Sequence, residues 1–185
     1  MLNKKIWFIA PMLVVAIALV LTGCGKSSAE KAAEKALETA TNGQADVDVS
    51  ENTVKINTNN SSYEAGENVS LPDGFPDDIY LVDGNITAAF TYTKDKDYSI
   101  SIETSKTVSE VKALYDTELK ADGWAITSSM VYEGSAAIWA EKENRMVSVG
   151  INKGSEDGKN TVVISASKTD STSDNTNTFD TNETE

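Results

Sequence analysis

Apolar residues recur along this chain with two periods. Val108, Val111, Leu114, Tyr115 and Leu119 fall at helical spacing and form one stripe. Thr107 with Glu110 three residues on makes a capping box before that stripe, and Gly123 closes it. The spacing therefore predicts a helix over 108–122. On both sides the period drops to two. Ile86, Ala88, Phe90 and Tyr92 alternate with polar or small residues, as do Tyr98, Ile100 and Ile102. After the helix come four more such runs: Trp124, Ile126, Met130 and Tyr132; Ala136, Ile138 and Ala140; Val147, Val149 and Ile151; Val162, Ile164 and Ala166. Ile79–Val82 reads as a further short strand, stopped by Asp83-Gly84. Strands, one helix, then four strands with short connections favour antiparallel neighbours. The expectation is an α+β fold, a curved antiparallel sheet with one helix packed on one face.

The first third of the chain is weaker in pattern. Residues 27–42 read as an alanine-rich helix, opened by Ser27-Ser28-Ala29-Glu30 and ended by Asn42-Gly43. Asp46–Thr58 reads as a hairpin in which Val47, Val49, Val54 and Ile56 alternate with acids or polar residues. Asn57–Asn68 is polar and reads as a linker. The last stretch, Thr169–Glu185, is too polar to offset its own ordering entropy and reads as a disordered tail. The expected division is 1–23, a signal peptide; 24–70, helix, hairpin and linker; 71–168, an α+β core domain; and 169–185, a polar tail.

Residues 1–24 carry the sharpest local motif. Lys4 and Lys5 precede the apolar run Ile6–Leu21, and Leu21-Thr22-Gly23-Cys24 follows. A basic start, an apolar stretch and small residues at a cut site make a secretory signal. The run is short for a transmembrane anchor and is interrupted by Pro11. The cysteine after the small pair makes it resemble a bacterial lipoprotein signal. That resemblance implies cleavage before Cys24, acylation of Cys24 (palmitate among the chains), export, and a lipid anchor at the outer face of the cytoplasmic membrane, or in an outer membrane if one is present. Cys24 is the sole cysteine, so no disulfide can form within the chain.

Charge and composition narrow the partners. The formal net charge is −13, and losing Lys4 and Lys5 would make the rest more acidic. Such a chain repels phosphate backbones and anionic headgroups, so no nucleic acid is expected as partner. Membrane attachment would have to come from acyl chains on Cys24. There is no histidine, which removes the commonest general base and the commonest zinc ligand.

The core resembles a family of small uncharacterised bacterial lipoproteins. The residues that carry the likeness are Leu71-Pro72-Asp73-Gly74-Phe75-Pro76, Glu103-Thr104 before the 108–122 helix, Gly123-Trp124 after it, and Ala140-Glu141-Lys142. The resemblance implies a cell-envelope location and a β-β-α-β-β-β type domain. It implies no activity and no site residue beyond Cys24.

No catalytic signature emerges. Ser-x-x-Lys occurs at Ser28–Lys31, Ser109–Lys112 and Ser165–Lys168, but three hits in a serine-rich chain are chance and Lys-Thr-Gly is missing. Asp46, Asp48 and Glu51 cluster, as do Asp73, Asp77 and Asp78, without the glycine and final glutamate of a calcium loop. No metal and no cofactor are expected. Trp139 is out of phase with Ala136, Ile138 and Ala140, so it should lie on the opposite face of its strand, which one helix cannot also cover. If the alanine side faces the helix, Trp139 is a candidate binding residue on the open face; the other arrangement packs Trp139 under the helix and turns the alanine side outward. The reading is a non-catalytic envelope module of unknown ligand, which binds a protein, peptide, glycan or lipid or accompanies a larger assembly. The alternative is a tethered hydrolase using carboxylates, which would need a deep pocket with a raised carboxyl pKa.

Overall fold

A computed structural model describes residues 28–50, 52–154 and 158–169. The apolar run Ile6–Leu21, Cys24, and the tail beyond Thr169 lie outside the described residues. Two α-helices, α1 (Ser28–Ala40) and α2 (Val108–Ala121), accompany nine strands. These are β1 (Ala45–Ser50), β2 (Thr53–Thr58), β3 (Ser61–Gly66), β4 (Asn85–Tyr92), β5 (Asp97–Thr104), β6 (Ala125–Tyr132), β7 (Ser135–Lys142), β8 (Arg145–Lys153) and β9 (Asn160–Lys168). All nine form one sheet in the order β1-β2-β3-β4-β5-β9-β8-β7-β6, with every pair antiparallel. After β5 the chain leaves the middle of the sheet through α2, starts again at the far edge with β6, and returns strand by strand until β9 pairs with β5.

This corrects the expected curved sheet under one helix. The sheet is open, with β1 and β6 as its edges, and two helices pack on it. The expected separate hairpin is its first two strands. The stretch read as a linker contains β3, which bridges that hairpin to β4. Ser61–Gly66 carries only Tyr63 and Ala65 as apolar residues, so its strand character comes from hydrogen bonding between two better-patterned neighbours. Conversely Ile79–Val82 is no strand. Ile79 and Val82 are buried, but as anchors of the irregular segment 69–84.

Cross-strand partners share a face, so the register sorts the sheet into two faces. One face carries Ile100 and Ile102 of β5, Val162 and Ile164 of β9, Val147, Val149 and Ile151 of β8, and Ala136, Ile138 and Ala140 of β7. α2 packs there through Val111, Tyr115 and Leu119, all fully buried. Its start is held by the capping box: Thr107 Oγ1 accepts from the Glu110 amide at 3.3 Å, and Glu110 accepts from the Thr107 amide at 2.8 Å. Phe75, Ile79 and Val82 of the 69–84 segment complete this core. The small alanines of β7 let α2 approach closely.

α1 lies on the opposite face at the opposite end of the sheet. Leu37 and Ala33 meet Ala45, Val47, Val49, Val54 and Ile56 in a small second cluster. Glu34 also accepts a hydrogen bond from the Val49 amide at 3.0 Å, satisfying a donor on the β1 edge.

Candidate functional site

Beyond α1 the second face stays uncovered among the described residues. Two adjoining rows cross all nine strands. The first runs Val47, Ile56, Tyr63, Phe90, Ser99, Ser165, Ser148, Trp139, Ser128. The second runs Val49, Val54, Ala65, Ala88, Ser101, Val163, Gly150, Ala137, Met130. Neither row contains a charged residue, in a chain with 24% charged residues. The central strands contribute only Ser, Gly and Val163, and the Ser99 and Ser165 hydroxyls lie 3.1 Å apart. On either side stand larger groups: half-buried Trp139 with exposed Met130, and exposed Phe90 with half-buried Tyr63. Four strand spacings separate Trp139 from Phe90, or about 19 Å at the usual ~4.8 Å per strand. The result is a strip of small, uncharged side chains between larger aromatic groups, with Asp97, Glu103 and Glu141 on the same face in the flanking rows.

Trp139 therefore sits where its phase places it, opposite Ile138, and it faces Ser128 and Ser148 across the strands. Phe90, Met130 and Tyr132 were not legible as members of this face. Tyr132 shares the alternation of Trp124 and Ile126, which predicts core, yet it is 62% exposed. The cause is a register shift between Ile126 and Ser128, a bulge that turns the rest of β6 over. A like shift between Ile86 and Ala88 leaves Ile86 facing the core and sends Ala88 and Phe90 to the open face. Trp124 and Tyr98, which head their alternating runs, are buried.

The covered side carries the strongest electrostatics. Asp78 accepts from Arg145 at 2.7 and 2.8 Å and from Lys142 at 2.7 Å. The Trp124 indole N–H donates to the Asp78 carbonyl at 2.8 Å, and Arg145 lies 5.0 Å over the Trp124 ring. The Arg145 hydrogen bond, opposed by burial and helped by Lys142, holds the Asp78 carboxyl well below the usual carboxylate range. The same contact raises Arg145. This clasp ties the 69–84 segment to the ends of α2, β7 and β8. Beside it a cleft of about 110 Å³ is lined by Pro76, Ile79, Tyr98, Trp124 and Met146, with Lys96 and Lys168 at its mouth. A more polar hollow of about 300 Å³ lies where Lys55, Asn57 and Glu64 face 70–73.

Among the described residues no group of three or more His, Cys, Asp or Glu can hold a metal ion. The carboxyls with displaced pKa values, Asp78 and Glu110, are both pushed down, Glu110 by its hydrogen bond from the Thr107 amide. A carboxyl acid needs the reverse. Burial pushes the Tyr115 hydroxyl up. It makes no hydrogen bond of good geometry, although the Val82 backbone lies near enough to ease that push, and it opens onto no site. Asp46 and Asp48 of the first cluster share the exposed face of β1, opposite Asn57 and Lys55, and Glu51 lies outside the described residues. Asp73 lines the polar hollow, away from the Asp78 clasp.

Residues 86–174 match the model of a family described as START domain-like. No curated protein and no solved structure matches the chain. The match replaces the resemblance to small uncharacterised lipoproteins, and the nine-stranded sheet overturns the β-β-α-β-β-β domain that went with it. The descriptors lipoprotein, signal peptide, cell envelope and membrane anchor are corrected with that resemblance. No helix among the described residues is long and apolar enough to cross a membrane, and the similarity lies in the sheet-and-helix domain. From β4 onward the chain is similar to START-like domains.

Proposed function

We propose that this module binds an uncharged or amphipathic ligand through an apolar chain laid along the open face of the sheet. The observation that carries the reading is the pair of charge-free rows. A solvated sheet face in an acidic chain is normally salted with Asp, Glu and Lys throughout, yet these two central rows offer Ser, Gly, Ala, Val and aromatics, with the acids Asp97, Glu103 and Glu141 confined to the flanking rows. Burying Trp139, Phe90 and Val163 against an acyl chain would supply the driving force, at roughly 25 cal/mol per Å². The START-like similarity supports a ligand-binding rather than an enzymatic role. The test is titration of the full chain with oleate, read through tryptophan fluorescence. Wild type should saturate, and Ser148→Asp, which puts a charge at the centre of the strip, should bind at least tenfold more weakly with an unchanged melting temperature. Equal binding by both proteins would refute the site.

The serine strip between aromatic groups favours one second reading, a neutral glycan stacked on Trp139 and hydrogen-bonded by Ser148, Ser165 and Ser99. A glycan arm in the same titration separates the two. A peptide or protein partner would require the face to be matched by another apolar surface.

Where the module works is a separate proposal, supported by Leu21-Thr22-Gly23-Cys24 alone: export, then residence at the outer face of the cytoplasmic membrane with Cys24 as the point of attachment. Fatty-acid labelling of the wild type and Cys24→Ser tests it. Equal labelling would refute it.

A further inference from the structure

The two edges of the sheet are guarded unequally. β1 carries exposed Asp46 and Asp48, and α1 reaches over it to satisfy the Val49 amide. Such charges and covering elements stop edge-to-edge pairing. β6 has neither. Its sequence, Ala125-Ile126-Thr127-Ser128-Ser129-Met130-Val131-Tyr132, has no charge, and every residue but Ile126 is exposed. Met130 and Tyr132 project from the open face and Val131 from the covered face, with Val131 66% exposed. A long, uncharged edge strand with exposed apolar groups is a ready template for pairing with another strand.

We propose that β6 pairs antiparallel with β6 of a second copy of this chain, joining two sheets edge to edge. The strand is self-complementary in size. A twofold axis perpendicular to the sheet at Met130 sets Tyr132 opposite Ser128 and Val131 opposite Ser129 of the other copy, with Met130 meeting its equivalent. Each large side chain then faces a small one, and every pair keeps to one face of the sheet, as pairing requires. The bulge at Ile126/Ser128 limits the regular pairing to the 128–132 stretch. Charge selects a second copy as well. Two strongly acidic molecules repel over most of their surfaces, but this edge brings no charge against charge, and the next residue, Glu133, falls opposite Thr127. In the dimer the charge-free rows of the two copies lie on the same side of the joined sheet.

Disulfide trapping in a Cys24→Ser background of the full chain tests the register. At the axis the two Met130 Cα atoms would lie about 4.5–5.5 Å apart, within disulfide reach. Mild oxidation of Met130→Cys should therefore give a covalent dimer, and Asp48→Cys on the other edge should not. Sedimentation in mild detergent supplies the second arm. Wild type should dimerise, and Val131→Lys, an exposed substitution that leaves the fold intact, should dimerise at least tenfold more weakly. A wild type monomeric at about 100 μM, equal trapping at both edges, or no trapping at Met130 would each overturn the proposal.

Discussion

The two faces of one sheet have opposite fates here, and β7 shows both. Ala136, Ile138 and Ala140 point into a core sealed by α2 and the 69–84 segment, whereas Ala137 and Trp139 point out on the uncovered face. The residue types hardly differ in polarity, since both sets are uncharged. What differs is what lies across from them. α2 brings Val111, Tyr115 and Leu119 to the first face, and α1 covers only the β1–β2 end of the second. An uncharged patch that has found an internal partner is a core. An uncharged patch that has found only part of one is a surface kept for something else.

The contrast predicts unequal costs for substitution. Ile138→Ala empties a fully buried position under α2 and should lower stability by about 3 kcal/mol in a urea titration. A loss below about 1 kcal/mol would mean that the α2 face is loosely packed. Asp78→Asn comes next. It weakens the charged hydrogen bonds that hold the 69–84 segment down and should cost about 1–2 kcal/mol near neutral pH, reduced by partial exposure of the pair. Because the folded Asp78 carboxyl lies below its ordinary value of 3.8, its contribution is fully present above that pH and is lost as pH falls through the window below it. Wild type should therefore lose stability relative to the Asn variant on acidification below about pH 4. A constant difference down to pH 2 would remove Asp78 from the account. Trp139→Ala should cost less, about 1 kcal/mol, because the side chain is only half-buried and faces Ser128 and Ser148. A loss of 3–5 kcal/mol would make Trp139 a core residue and take it out of the strip.

Much of the covered face was legible in the chain. The α2 stripe, its Thr107 cap and the alternations in β5, β7, β8 and β9 follow from spacing, and so does the placement of Trp139 opposite Ile138. The open face was harder for a local reason. A bulge adds one residue to a strand without marking the sequence, and each of the two bulges, near Thr87 and Thr127, inverts every later side chain in its strand. Phe90, Met130 and Tyr132 were hidden by those inversions. β3 was hidden for the opposite reason, since a polar strand held by two neighbours needs no pattern of its own. The strip is assembled from single residues on strands far apart in sequence, so it existed as a feature only once the register was known.

The central claim, that the charge-free rows of the open face receive a ligand while the α2 face is sealed, is tested most directly by mapping amide chemical shifts during titration of the full chain with oleate. The account predicts saturable shifts at Phe90, Ser99, Trp139, Ser148 and Ser165, with little change at Val111, Tyr115 and Leu119. Shifts confined to the cleft lined by Tyr98, Trp124 and Met146, or to the residues of α2, would contradict it.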